Sequence, residues 1–76
     1  MSNTQNPPII QHHKGQPFLL EATHDGDFWF VKIYELKDEQ TDAERVWRFE
    51  YKLNHPKDSK GACLRAWEIF QARHLT

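Results

Sequence analysis

The chain has 76 residues, of which 38% are hydrophobic and 13% aromatic, and its formal net charge is −1. This length suits one domain with one modest core and excludes a two-domain enzyme, and the apolar content excludes a chain that is disordered throughout. The near-neutral charge lacks the strongly basic footprint of most nucleic-acid-binding domains, and the single cysteine, Cys63, excludes an internal disulfide.

The first 16 residues are polar, contain two prolines and one glycine, and offer only Ile9 and Ile10 for burial. Because ordering a backbone without burying apolar surface is unfavourable, we expect residues 1–16 to form a flexible, disordered N-terminal tail. Two β-branched residues between polar flanks also suit a short strand that docks on a sheet edge. In that case the tail could cover part of the sheet.

The folded domain is expected to span residues 17–76 and to begin with two strands joined at Asp25-Gly26. Asp and Gly tolerate the positive φ angles of a two-residue hairpin turn, and this turn would set His24 opposite Asp27. The resulting register gives one face of the hairpin to Phe18, Leu20, Ala22, Trp29, Val31 and Ile33. It gives the other face to Leu19, Glu21, Thr23, Phe28, Phe30, Lys32 and Tyr34.

A third strand is predicted at residues 46–53, after a polar and acidic loop at residues 37–44. Side chains alternate between the two faces of a strand, so strict alternation divides this segment into two sets. The core-facing set is Trp47, Phe49, Tyr51 and Leu53. The opposite set is Val46, Arg48, Glu50 and Lys52. The three strands together form an antiparallel β-meander.

A C-terminal helix is expected from about Lys60 to His74, with Asp58 or Ser59 as its N-cap. The helical period directs one stripe of side chains toward the sheet, with Trp67 at its margin. That stripe is Ala62, Cys63, Ala66, Ile69, Phe70 and the stem of Arg73. The predicted fold class is therefore α+β: a three-stranded antiparallel β-meander packed on one face by a C-terminal helix, in the order β-β-β-α.

The side chains that carry chemistry in other proteins do not converge in this pattern. His12-His13 and His24 lack the spacing of a tetrahedral metal site, the isolated glycines form no phosphate-binding loop, and Cys63 falls on the buried stripe of the helix. We therefore expect no catalytic residues, no metal, no cofactor and no enzymatic activity. The absence of a leader or a long apolar stretch predicts a cytoplasmic protein that does not enter membranes.

A single helix covers one face of a three-stranded sheet, which leaves the other face open. On this open face we predict a binding site of aromatic and basic side chains, namely Phe28, Phe30, Lys32, Tyr34, Arg48 and Lys52. Rings surrounded by charges of both signs are typical of protein interfaces, so we expect contact with a protein partner or with a second copy in a homodimer. A monomer whose tail covers the rings is the remaining alternative.

Nucleic acid, single-stranded or duplex, is the alternative ligand, because rings and cations on an open sheet suit stacking on bases and contact with phosphates. In topology alone, the predicted fold resembles integrase arm-binding domains and plant AP2-type domains, which read DNA with a three-stranded sheet that precedes a C-terminal helix. No motif of either family occurs in this chain. Those domains are strongly basic, whereas Glu21 and Glu50 share this face with its three cations, so protein is favoured over nucleic acid.

Overall fold

In the computed structural model, which describes residues 7–38 and 41–75, four antiparallel strands form one sheet in the order β1-β2-β3-β4, and one helix covers a single face of it. The elements are β1 (Ile9–His13), β2 (Gln16–Asp25), β3 (Phe28–Asp38), β4 (Thr41–Leu53), helix α1 (Ser59–Phe70) and a C-terminal π-turn (Gln71–Leu75). The α+β class and the C-terminal helix are confirmed. The sheet has four strands rather than the predicted three.

The additional strand β1 comes from the segment predicted to be a flexible tail. Ile9 lies opposite Leu20 in β2. The turn between β1 and β2 contains Lys14 at φ 53° and Gly15 at φ 86°, so both central residues adopt the left-handed conformation that a tight hairpin requires. A lysine at such a position is a weak turn signal, so the sequence does not indicate the turn itself, but the alternative of a short strand formed by Ile9 and Ile10 on the sheet edge is confirmed. The start of the predicted tail, residues 1–6, lies outside the described residues.

The hairpin of β2 and β3 turns at Gly26 and Asp27 rather than at Asp25 and Gly26. Gly26 has φ 65°, and Asp25 pairs with Phe28, which shifts the register by two residues from the predicted one. The pairing is therefore wrong in detail. Because side chains alternate with a period of two, an even shift returns every residue of the hairpin to its predicted face.

Strand β4 contains a β-bulge that alternation in the sequence does not reveal. Ile33 lies opposite Phe49, but the next residue, Tyr34, lies opposite Trp47, so Arg48 is an extra residue in β4. Residues of β4 on the N-terminal side of the bulge lie on the face opposite to the one that strict alternation predicts. Trp47 therefore lies on the face away from the helix, and its predicted place in the core is wrong.

The core lies between α1 and the sheet. Its buried side chains are Phe18, Leu20, Ala22, Trp29, Val31, Ile33, Ala62, Cys63, Ala66, Trp67 and Phe70. Trp67, predicted at the margin of the helix stripe, is 7% exposed and its ring centre is 5.2 Å from that of Phe18. Trp67 thus supplies the core volume that strict alternation in β4 predicts for Trp47. Arg73, by contrast, is exposed.

Both ends of the helical segment are fixed by hydrogen bonds. At the start, the carboxylate of Asp58 accepts from the backbone N–H of Gly61 at 2.7 Å, which confirms one of the two predicted caps. At the other end, Gln71 Nε2 donates to His13 Nδ1 at 3.1 Å, and His13 Nε2 donates to the Leu75 carbonyl at 3.1 Å. The histidine at the end of β1 thereby attaches the π-turn to the sheet.

Candidate interaction surface on the open sheet face

The open face of the sheet, which lies away from α1, carries one row of apolar side chains that crosses all four strands. Ile10 pairs with Leu19, Leu19 pairs with Tyr34, and Tyr34 pairs with Trp47. Residues that pair directly share a face, so these four side chains form a continuous row, which we call the apolar band. Neighbouring strands are about 4.8 Å apart, so the band extends about 14 Å from β1 to β4.

The apolar band is buried in its middle and exposed at both ends. Leu19 is 4% exposed and Tyr34 is half-buried, whereas Ile10 is 39% and Trp47 54% exposed. The exposed ends lie on the two outer strands of the sheet. Large apolar side chains are ordinary on a surface when they are scattered, but a continuous row with a tryptophan at one end is the kind of patch that marks a contact surface.

Charged side chains form a parallel row beside the apolar band. Glu21 pairs with Lys32, and Lys32 pairs with Glu50, so the sign alternates across three strands. We call these three residues the charged row. Arg45 connects the two rows, because its Nη1 is 3.0 Å from Oε2 of Glu21 while its guanidinium carbon lies 4.4 Å from the centre of the Tyr34 ring.

Five of the six predicted binding residues share the open face. Phe28, Phe30 and Tyr34 are half-buried rather than fully exposed, and Lys32 and Lys52 are exposed. The Nζ of Lys52 lies 4.1 Å from the centre of the Phe28 ring, an arrangement that shields this ring from solvent. Ile9 and Ile10 belong to the sheet itself, so this part of the predicted tail extends the face and does not cover the rings.

Arg48, the sixth predicted residue, lies on the opposite face. It forms an ion pair with Glu35, and its guanidinium carbon is 5.9 Å from the ring centre of Phe70 in α1. The bulge is the cause, because the extra residue turns Arg48 and Phe49 toward the same side of the strand. Arg48 is therefore removed from the candidate surface.

Sequence reasoning did not place Arg45 and Trp47 on this surface, and it placed Ile10 in a strand on the sheet edge without including it among the binding residues. The Lys14-Gly15 pair could have indicated the hairpin that brings Ile10 into the sheet. The other two depend on the bulge, for which the sequence offers no signal that we recognise. Leu19 was assigned to the correct face.

The titratable groups with perturbed pKa values lie on the helix side of the sheet. Burial raises the pKa of the Cys63 thiol to about 11, which disfavours the nucleophilic thiolate. Burial also raises the pKa of Tyr51, although Arg73 opposes the shift. The Tyr51 hydroxyl is the one buried side-chain polar atom in the described residues without a hydrogen-bond partner.

Neither Cys63 nor Tyr51 lines either of two open depressions on the described surface. One, of about 540 Å³, is lined by residues of β3 and β4 with Gln16, and the other, of about 390 Å³, lies along the outer side of α1 and the π-turn. Within residues 7–38 and 41–75, no three histidine, cysteine, aspartate or glutamate side chains are grouped to hold a metal ion. In the same residues no helix has the length and apolar character needed to cross a membrane.

No protein-family model, curated protein or solved structure matches this chain.

Proposed function

We propose that this protein is a small, non-enzymatic binding domain that contacts another protein chain through its open sheet face. The partner is either a different protein or a second copy of the same chain. The observation that carries the proposal is the apolar band from Ile10 to Trp47, which crosses every strand and is exposed at both ends.

The residue types of the band support a protein partner. Tryptophan, tyrosine and arginine are the residues most enriched among those that dominate binding energy in protein interfaces, and Trp47, Tyr34 and Arg45 lie together here. The charged row beside the band has both signs, which suits the orientation of a partner more than general attraction to a polyanion. The band thus supplies apolar contact area, and the row supplies specificity.

Nucleic-acid binding, the alternative, has less support. Arg48 lies on the opposite face, where it pairs with Glu35. Arg45 forms an ion pair with Glu21. Lys32 lies between Glu21 and Glu50 in the sheet register. Phosphate binding gains its affinity from cations that are free to replace counterions. Carboxylates beside these cations oppose the approach of a phosphate backbone.

The test compares Trp47→Glu with Leu64→Glu, a matched control on α1 where Leu64 is 41% exposed on the other layer of the domain. Sedimentation velocity reports self-association, and affinity capture with quantitative mass spectrometry reports other protein partners. We expect Trp47→Glu to weaken the association about tenfold or more, which is about 1.4 kcal/mol. Leu64→Glu should leave it unchanged. Circular dichroism establishes that both variants fold.

Two results would overturn the proposal. The first is a monomer whose captured proteins are the same for the wild type and Trp47→Glu. The second is tight, salt-sensitive binding of an oligonucleotide that Lys52→Glu abolishes, because that would identify the face as a nucleic-acid surface.

A further inference from the structure

We infer that the occupant of the open face is a second copy of this chain, stacked face to face about a two-fold axis that runs parallel to the strands. This inference rests on the proposed function and names its partner. The order of side chains along the apolar band and the charged row supports this arrangement.

The apolar band has an aromatic half and an aliphatic half. Tyr34 and Trp47 belong to β3 and β4, whereas Ile10 and Leu19 belong to β1 and β2. A two-fold axis along the strands reverses the strand order of the second sheet, so β4 of one copy faces β1 of the other. Trp47 then covers the partner's Ile10. The two exposed ends of the band cover each other twice, as a self-complementary interface requires.

The same axis also matches the charges. It keeps each row opposite its own counterpart, so Lys32 on β3 faces the partner's Glu21 on β2, and this contact also occurs twice. A two-fold axis along the band would instead set Lys32 against the partner's Leu36 and Trp47 against its own copy. That alternative gains only a contact between Glu50 and the partner's Arg45, and it gives Lys32 no acidic partner, because Leu36 is 1% exposed.

The geometry of stacked sheets preserves this matching. Aligned sheets pack about 10 Å apart with their strands rotated by about 30°, so the ends of a 14 Å band shift sideways by only about 4 Å. That shift is smaller than the distance of about 7 Å between rows on one face of a strand. Trp47 therefore still reaches the partner's Ile10.

The face is also large enough for a stable dimer. The Cα positions extend over 34 and 28 Å in their two longer directions, which gives room for the about 800 Å² that each partner of a typical specific complex buries. A chain this short gains a second apolar layer by stacking, and small domains commonly need such support.

Cross-linking tests the orientation. Ile10→Cys and Trp47→Cys are purified separately, one with an isotope label, mixed, and treated with a short bismaleimide. The native Cys63 is 2% exposed and should not react, which the wild-type protein checks. We expect cross-linked dimers from the mixture, each containing one labelled and one unlabelled chain, and few from either variant alone. The mixed dimer keeps one native contact between Trp47 and the partner's Ile10.

A charge exchange provides a second measurement without reactive groups. Lys32→Glu alone and Glu21→Lys alone each set like charges against each other in a homodimer, whereas the mixture restores both pairs between chains. Each substitution also alters charge contacts within its own chain, but that effect is the same whether the chain is in a homodimer or in a heterodimer. Native mass spectrometry should therefore show heterodimers well above the half expected from random mixing.

Three outcomes would overturn the inference: cross-links of each cysteine variant with itself, heterodimers at the random fraction, or a wild type that remains monomeric at all concentrations. If the protein is monomeric but captures a different chain through Trp47, the second copy is excluded and the proposed function stands. If it is monomeric and Trp47→Glu changes no capture, both fail.

Discussion

The guanidinium of Arg45 lies 4.4 Å from the centre of the Tyr34 ring and spans the middle of the open face. Its ion pair with Glu21 has an N–O distance of 3.0 Å, and both side chains are a little over one-third exposed. Arg45 thus covers the one tyrosine of the apolar band with its planar end, while the ends of the band remain accessible. An exposed charge in this position adds little to the stability of the fold.

Replacement of Arg45 by alanine should therefore change the free energy of unfolding by less than about 1 kcal/mol, because exposed ion pairs and exposed cation–π contacts each contribute little. Urea denaturation followed by circular dichroism measures this. Lys37→Ala is the matched control, since its pair with Glu44 is longer, at 3.7 Å, and more exposed. A loss above about 2 kcal/mol for Arg45→Ala, well beyond the usual range of such pairs, would contradict this assignment.

The N-cap of α1 should be coupled to Gly61. Asp58→Ala removes the acceptor for the Gly61 N–H and should cost about 1 kcal/mol of stability. A Cβ at position 61 would lie 3.0 Å from Oδ1 of Asp58, so in Gly61→Ala the capping carboxylate must shift by a few tenths of an ångström. We expect Gly61→Ala to be more favourable in the Asp58→Ala background than in the wild type. Equal effects in both backgrounds, measured by thermal or urea unfolding, would show that the cap does not contact this position.

The buried thiol should make the fold less stable in alkaline solution. The pKa of Cys63 is raised from 9.0 to about 11 by burial, so the unfolded chain loses this proton at a lower pH than the folded chain does. The contribution of the neutral thiol to the free energy of unfolding is therefore fully present below pH 9 and is lost as the pH rises from 9 through about 11. Tyr51 adds a loss of the same sign at higher pH, because its pKa is raised from 10.0.

Urea midpoints across that range, compared between the wild type and Cys63→Ala, measure the contribution of the thiol. Alanine lowers stability by a constant amount through the cavity that it leaves, but the midpoint of the variant should fall less steeply with pH. Parallel slopes for the two proteins would refute the assignment, since the variant retains every other titrating group.

Tryptophan fluorescence should distinguish the face of Trp47 from that of the other two indoles. Trp29 and Trp67 are 8% and 7% exposed, whereas Trp47 is 54% exposed. Trp47→Phe should therefore remove most of the emission that acrylamide quenches and shift the remaining spectrum to shorter wavelength. Under the inferred dimer, quenching of Trp47 should also decrease as protein concentration rises. If Trp67→Phe removed the quenchable emission instead, the placement of Trp47 would be wrong.

Helical periodicity, strand alternation and a capping residue correctly predicted the helix and the faces of two strands. The helical period and the cap at Asp58 gave α1, and the faces of β2 and β3 survived a register error because that error was even. The predictions that were wrong, the number of strands and the faces of Arg48 and Trp47, depend on local backbone conformation. The hairpin of β1 and β2 depends on the left-handed backbone conformation of Lys14. The extra residue in β4 places Arg48 on the helix side of the sheet and Trp47 on the open face, the reverse of the predicted assignment.

The wrong faces predicted for Arg48 and Trp47 have one physical origin, the β-bulge in β4. Alternation reports only the side chains of one strand, whereas a bulge is a property of two strands that pair with unequal numbers of residues. Trp47 and Trp67 are both large and apolar, so composition could not decide which of them fills the core. The burial of Trp67 against Phe18 decides it in three dimensions.

The bulge makes β4 tolerant of one specific deletion. Ile33 already lies opposite Phe49 and Tyr34 opposite Trp47, so loss of the single codon for Arg48 would remove the extra residue and leave both pairs in place. Trp47 would keep its position on the open face, whereas the ion pair between Arg48 and Glu35 on the helix side would be lost. The gain or loss of these three nucleotides would therefore change the side of the sheet that carries α1 and leave the open face intact.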